Sequence, residues 1–176
     1  MHPIDIESTL KTMVITVDSR ERPTEQAKRR YSEFGCPWEQ RKLNFGDYSC
    51  AVKLPNGETK SFENDFCVER KLGLQEVCTC FTYERDRFTR EFERAKAVNA
   101  KIYLLIEDGS FRKAYNGIYK SQMKPQALIA SIFAWLARYN CQIIMAEKEL
   151  SGKIIKEILY REAKELLQTL DFPGEP

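Results

Sequence analysis

Four side chains in this sequence have the types and spacing for chemistry at a common centre: Asp18, Asp47, Glu69 and Lys71. Glu69 and Lys71 stand two residues apart in "DFCVERKLGLQEV" (65–77), just after the apolar run Phe66-Cys67-Val68. In a strand they share one face, and Arg70 between them points to the other. Asp18 follows "MVITV" (13–17), and Asp47 stands where "WEQRKLNF" meets "GDYSCAVKL", so all three acids fall at expected strand ends. Carboxylates gathered without histidine suit a hard cation such as Mg²⁺, which takes a few carboxylates and keeps some of its waters. An ion so held can activate a water and neutralise charge developing at phosphorus. A lysine on the same face can position or deprotonate that water and stabilise the transition state. Taken alone, Glu-x-Lys reads equally as a surface ion pair. Paired carboxylates also suit glycoside hydrolysis, but that reading explains neither the lysine nor the basic segment described below.

Composition narrows the chemistry further. At 176 residues the chain is expected to be one domain, and 43% apolar with 31% charged residues fits a folded domain with a polar surface. The net charge of +2 is too small to indicate a partner. No run reaches transmembrane length and "MHPIDIESTLK" lacks the regions of a signal peptide, so a cytoplasmic protein is expected, with no membrane partner. The single histidine, His2, lies at the start of the chain, which removes Ser-His-Asp, Cys-His and multi-histidine metal sites. Cys36, Cys50, Cys67, Cys78, Cys80 and Cys141 show no CxxC spacing, and several fall within apolar runs, as core thiols do.

The elements that must position these residues follow from pattern. "MVITV" reads as a strand covered on both faces. Thr24 is placed to cap a helix whose stripe is Ala27, Tyr31 and Phe34, with Gly35 at its stop. "PNGE" (55–58) predicts a hairpin turn and "FCVERK" the returning strand. A helix is expected over roughly 84–98, with Phe88, Phe92, Ala95 and Val98 inward. Its other side carries Arg87, Arg90 and Arg94, either a solvated face with an Asp86–Arg90 pair or a ridge for a phosphate backbone. "KIYLLIE" (101–107) is a buried strand, "QALIASIFAWLARY" (126–139) a helix apolar over a wide arc, and "CQIIMA" a last strand. Ser151 is placed to cap the final amphipathic helix. The order predicts an α/β domain, a central mixed β-sheet flanked by helices.

Between Asp108 and Glu147 there is no acid, while Arg112, Lys113, Lys120, Lys124 and Arg138 lie there, interleaved at first with Phe111, Tyr115 and Tyr119. Local positive charge with aromatic faces suits a phosphate backbone and exposed bases, and a solvated loop is the plainer alternative.

"VDSRE", "NFGDYS" and "FCVERK", in this order and spacing, resemble the nuclease domain of the XPF family of structure-specific endonucleases. The resemblance extends through "YERDRFTREFERAKA" and "IYLLIED", over about residues 13–108. It implies a restriction-endonuclease-like core and Mg²⁺- or Mn²⁺-dependent cleavage of branched or flapped DNA. Matched residue by residue, it places the metal-binding acids on Asp47 and Glu69 with Asp18 nearby, and the catalytic lysine on Lys71. Arg20 and Glu21 take the positions of the family's Arg-Glu pair, and the carbonyl of Arg70 can complete the metal shell. Arg112, Lys113, Tyr115, Tyr119, Lys120 and Lys124 are the expected DNA contacts. One departure is plain. The signature's final Asp falls at position 75, where this sequence has Gln75 with Glu76 adjacent.

Relatives generally carry a tandem helix-hairpin-helix module after the nuclease. Here only the last helix and "DFPGEP" follow, so a stand-alone prokaryotic or viral nuclease domain is expected. Family domains pair, and the helix at 126–139 offers spare apolar surface, so a homodimer through Phe133 and Trp135 is expected. The rival reading is a non-catalytic DNA-binding or partner subunit with the same fold.

Overall fold

The computed structural model describes residues 3–170, and its seven strands form one mixed sheet in the order β2-β1-β3-β5-β6-β7, with β4 paired to β3. The strands are β1 (Val14–Asp18), β2 (Trp38–Arg41), β3 (Tyr48–Lys53), β4 (Thr59–Ser61), β5 (Phe66–Lys71), β6 (Lys101–Glu107) and β7 (Cys141–Ala146). β1 runs parallel to β2, and β5, β6 and β7 run parallel to one another. β3 is antiparallel to both β1 and β5, which joins the two parallel halves. The expected α/β architecture is therefore present. The strand returning from the hairpin is the short β4; β5 comes next and meets β3 only at Tyr48↔Val68. β5 and β3 thus separate soon after that pair, which leaves room between them for side chains. His2 and "DFPGEP" lie outside the described residues.

Helices cover both faces. One core joins α1 (Pro3–Leu10), α2 (Glu25–Ser32) and α7 (Ser151–Thr169) to the sheet through Ile6, Tyr31, Phe34, Phe66, Val68, Leu105 and Leu159. The other joins α3 (Leu74–Phe81), α4 (Arg85–Ala97) and α6 (Pro125–Arg138) through Cys67, Val77, Phe88, Phe92, Leu104 and Ile132. Residues 66, 68 and 105 meet the first layer, and 67 and 104 the second. That alternation puts Glu69 and Lys71 on the α3/α4 side and Arg70 on the α2/α7 side.

Several local readings hold. Thr24 accepts a hydrogen bond from the Ala27 N–H at 3.1 Å and caps α2, and Gly35 takes a positive φ of 64° just past its end. Four of the six cysteines are buried and all six are free thiols. No helix among the described residues is long and apolar enough to cross a membrane.

Three details differ. Ser151 does not cap α7; its hydroxyl is buried and donates to Glu107 at 2.7 Å. Val98 falls just beyond α4 and is exposed. Trp135 is not an outer-surface residue. It is 2% exposed and lies among Phe81, Phe88, Phe92 and Tyr139, with ring centroids 5.1–5.8 Å away. A helix apolar over a wide arc does not announce which side is inward, and the largest ring took the core. Phe133, 49% exposed and stacked on Phe111, remains on the outer face.

Candidate active site

β5 carries the centre of the site. The Lys71 ammonium lies 2.5 Å from Glu69 Oε1, and both residues are almost wholly buried, at 6% and 3% exposure. The Phe88 ring covers the ammonium at 5.2 Å. The second Glu69 oxygen, Oε2, is buried with no hydrogen-bond partner. An orphaned carboxylate oxygen is costly to keep, so its presence at a cleft floor points to a ligand. Burial lowers the basicity of Lys71, but the Glu69 and Asp47 charges outweigh it, and the ammonium holds its proton well above neutral pH.

Asp47 reaches the same place from the turn before β3. Gly46 sits at φ +72°, and a Cβ there would lie 2.5 Å from Cys67 Sγ, so only glycine fits. Asp47 is pinned three ways: its N–H donates to Val68 O at 2.9 Å, its carbonyl accepts from Asp18 N–H at 2.8 Å, and its Oδ2 accepts from Arg70 N–H at 2.8 Å. Among the described residues that last bond is the carboxylate's sole hydrogen bond, which leaves Oδ1 open. Burial, followed by the Glu69 charge, pushes Asp47 well above the usual carboxylate range. Burial raises Glu69 too, against the pull of Lys71.

Glu91, on α4, was not singled out from the sequence. It is largely buried, accepts the Gly46 N–H at 3.0 Å and lies 3.9 Å from Arg20. The sequence shows it only as one more acid in a charged helix; its place on the Arg87–Arg94 stripe is the signal that could have found it.

Asp18, expected beside the metal-binding acids, is used otherwise. Its Oδ1 accepts from Arg20 N–H at 2.7 Å and Nε at 2.9 Å; its Oδ2 accepts from Arg20 Nη2 at 2.8 Å and Leu43 N–H at 3.0 Å. Burial works to raise its pKa, but these bonds hold it below the ordinary value. Both oxygens are spent on aiming Arg20, so Asp18 is a support for that arginine, not an open ligand. No group of three acids among the described residues is placed to hold one metal ion.

On the reverse side of β5, Glu21 Oε1 accepts from Arg30 at 2.6 Å and Arg70 at 3.1 Å, while Glu107 accepts from Arg70 at 3.1 Å and lies 3.5 Å from Arg30. The Tyr48 hydroxyl takes the Arg30 Nε–H at 2.9 Å. Glu21 and Arg70 are therefore tied into a buried network that reaches one end of the cleft, where Glu21, Arg30 and Arg70 line it.

Asp47, Glu69 and Lys71 open into a cleft of about 610 Å³ whose walls include Arg20, Arg22, Arg87, Arg90, Glu91 and Arg94. The arginine stripe of α4 thus faces the acids. The expected Asp86–Arg90 pair is absent among the described residues; Arg87 pairs with Glu84 at 2.6 Å instead. Glu76, not Gln75, turns toward the lysine: one oxygen lies 3.8 Å from Lys71 and the other accepts the Leu72 N–H at 2.7 Å.

The basic segment stands apart. It comprises the short helix α5 (Phe111–Tyr115) and the loop to α6, and none of its residues lines the cleft. Arg112, Tyr115, Lys120 and Lys124 are exposed. Lys113 donates to Asp108 O at 2.7 Å, and Tyr119 donates to Met123 O at 2.8 Å. Lys113 lines a smaller hollow that shares Leu72 with the cleft.

The ERCC4 domain family model matches residues 17–158, a span that contains every residue of this cleft. The chain belongs to the ERCC4 domain family. Among solved structures, XPF from Aeropyrum pernix superposes with a TM-score of 0.62 at 16% identity, covering 93% of this chain and 67% of that one. XPF from Aeropyrum pernix in complex with DNA gives 0.57 at 18% identity, covering 93% and 76%. At those identities the likeness is one of fold. No curated protein matches the chain. The ERCC4 domain is the nuclease-domain family whose motifs "VDSRE", "NFGDYS" and "FCVERK" resemble, so family and motifs agree.

The network behind β5 of this ERCC4 domain yields a prediction about stability. Glu107→Ala leaves Arg30 and Arg70 buried with one carboxylate fewer and should cost about 3–5 kcal/mol, as broken buried pairs do. Urea unfolding monitored by circular dichroism measures it; a loss below about 1 kcal/mol would mean that the network contributes no more than a surface pair.

Proposed function

We propose that this chain is a metal-dependent DNA endonuclease that hydrolyses phosphodiester bonds in branched or flapped DNA. One observation carries the reading: a buried, unpartnered Glu69 oxygen beside Lys71 and the open oxygen of Asp47, at the floor of an arginine-walled cleft. The fold shared with XPF from Aeropyrum pernix, which has been solved in complex with DNA, supports the substrate class.

The donor set fits a hard divalent cation. Asp47 Oδ1 and Glu69 Oε2 are the free oxygens. The Arg70 carbonyl points to the same side of β5 as its N–H, which meets Asp47, so it is a third donor in reach. Mg²⁺ or Mn²⁺ held there would supply a polarised water and offset charge at phosphorus. The protein does the rest. Lys71, firmly protonated, acts as a hydrogen-bond donor to the attacking water or a phosphate oxygen, and so stabilises the transition state instead of abstracting a proton. Glu69 and Glu76 hold its ammonium in place. Arg20, aimed by Asp18, and Arg90 and Arg94 on the cleft wall hold the phosphate backbone. The cations and rings at Arg112, Lys113, Tyr115, Tyr119, Lys120 and Lys124, four of them exposed, extend this grip to DNA beyond the cleft.

The exposed face of α6, with Ala130, Phe133, Ala134 and Ala137, is the surface for a second copy. The dimer would align two clefts on one branched substrate.

Replacement of the two central residues should fail in different ways. Lys71→Ala should lower cleavage by orders of magnitude with metal binding nearly unchanged, since its charge acts in the transition state. Glu69→Gln should weaken metal binding in calorimetry, with partial recovery in excess Mn²⁺. Metal binds the deprotonated acids, and both hold protons above the ordinary carboxylate pKa of about 4. Metal affinity should therefore keep rising with pH well past that value, and Asp47→Asn should flatten the rise. Full cleavage by Lys71→Ala would reduce the pair to a structural ion pair and end the nuclease reading.

Removal of the charges of Lys113 and Lys120 should weaken DNA binding equally across sequences. It should also reduce the slope of log affinity against log salt by about 1–2. An unchanged slope assigns the segment to solvent.

For the dimer, Phe133→Asp should give a monomer in sedimentation at tens of micromolar, the rough range in which a weak interface populates, while the wild type sediments as a pair. A monomeric wild type at that concentration would count against the interface.

A further inference from the structure

Beside the cleft lies a hollow of about 240 Å³, walled by Leu72, Gly73, Gln75, Asp108, Lys113 and Ile118. We infer that it is a subsite for one unpaired nucleobase, that of the nucleotide next to the cleaved phosphate; the inference rests on the nuclease reading. Position comes first. Leu72 belongs to both the cleft and the hollow and follows Lys71 directly. At about 3.3–3.6 Å per residue, Gly73 lies within roughly 7 Å of Lys71, a single nucleotide's step along a strand.

The lining selects a base over a phosphate. Leu72 and Ile118 are large, apolar and 51% and 59% exposed, so the hollow has two greasy walls open to solvent. Its one cation, Lys113, is bound to the Asp108 carbonyl, the Asp108 carboxylate lies 3.9 Å from the Lys148 ammonium, and Glu107 is taken up by Arg30, Arg70 and Ser151. A phosphate would find no unpartnered cation on this lining, whereas a neutral ring between aliphatic chains needs none. Size points the same way. The volume is below the roughly 300 Å³ at which pockets for drug-sized ligands begin, which suits one ring system. A base in a pair could not enter it.

Gln75 supplies the polar edge. Its amide folds over Gly73, where an added Cβ would lie 3.0 Å from Oε1, and it makes no side-chain hydrogen bond among the described residues. An amide offers both donor and acceptor to a base edge, which the acid expected at this position could not. Glu76 covers the lysine side, so Gln75 is free for this contact.

The test uses a flapped duplex carrying 2-aminopurine in turn at each nucleotide flanking the mapped cut. In chelator, where no hydrolysis occurs, binding should change the fluorescence strongly at one flanking nucleotide, and Leu72→Ala/Ile118→Ala should abolish that change. In Mg²⁺ or Mn²⁺, an abasic site at that nucleotide should lower kcat/KM of the wild type by about 5-fold, the low end of what one base stacked on an aromatic ring contributes, since these walls are aliphatic. The double variant should be slowed by a similar factor and be indifferent to the abasic site, and Gln75→Ala should alter the preference among bases there. Equal cleavage of intact and abasic substrates by the wild type, or an abasic penalty undiminished in the double variant, overturns the subsite. A wild type that cleaves nothing with metal overturns the nuclease reading instead, and the fluorescence in chelator still decides whether a base enters the hollow.

Discussion

The site depends on a balanced group of charges buried beneath β5. Glu21 and Glu107 face Arg30 and Arg70, two anions against two cations, with Tyr48 and Ser151 adding hydrogen bonds and Arg70 Nε left without one. Taking such groups out of water costs several kcal/mol per ion, so the group is best understood through what it fixes, not as a source of net stability. It joins the loop after β1, α2, the ends of β5 and β6, and the first turn of α7. Arg70 is thereby immobilised, and its N–H grips Asp47 on the far side of the same strand. A one-residue slip of β5 would exchange the faces of Arg70 and Lys71 and break every ion pair Arg70 makes in the network, which opposes it.

With one face of the strand locked, the other can hold an unfavourable arrangement. Asp47, Glu69 and Glu91 crowd around a single lysine, and burial with mutual repulsion raises all three acids above their ordinary pKa. The folded state then binds protons that the unfolded chain has already lost, so stability falls as pH rises through that window. A divalent cation at Asp47 and Glu69 would relieve the same repulsion, which couples occupancy of the site to stability. Asp18 stands outside this conflict, because Arg20 and Leu43 satisfy it fully.

What was legible in the sequence follows from periodicity. Period two placed Glu69 with Lys71 and against Arg70, and long apolar runs marked β1, β5 and β6. Asn56-Gly57 marked a turn, and Gly57 takes a positive φ there; the positive φ of Gly46 was not legible. Glu91 and Glu107 were not legible, since a glutamate in a charged helix or at a strand end looks the same whether solvated or buried. The bonds of Asp18 were not legible for a related reason: position at a strand end shows where a carboxylate emerges, but not that a neighbouring arginine bonds both its oxygens. α1 and α3 were missed because short helices, here with β-branched or cysteine residues, carry weak propensity and form by packing. Leu74, Val77, Cys78 and Phe81 do have helical spacing, and all are buried.

The exchange at Gln75 shows how a helix start can redistribute roles. α3 begins at Leu74, so residues 75 and 76 lie about 100° apart around its axis (3.6 residues per turn) and cannot face the same place. The lysine is held by Glu69, and of the pair 75 and 76 it is Glu76 that lies near it, at 3.8 Å, while also accepting the Leu72 N–H at the exit of β5. Its neighbour is released from that duty and turned toward the hollow beyond Leu72. Moving an acid by one position therefore keeps the charge balance at Lys71 while placing a neutral amide, with a donor and an acceptor, at the adjoining wall. The departure from the family's motif leaves Glu69 and Lys71 of β5 in place and changes the surface beside them.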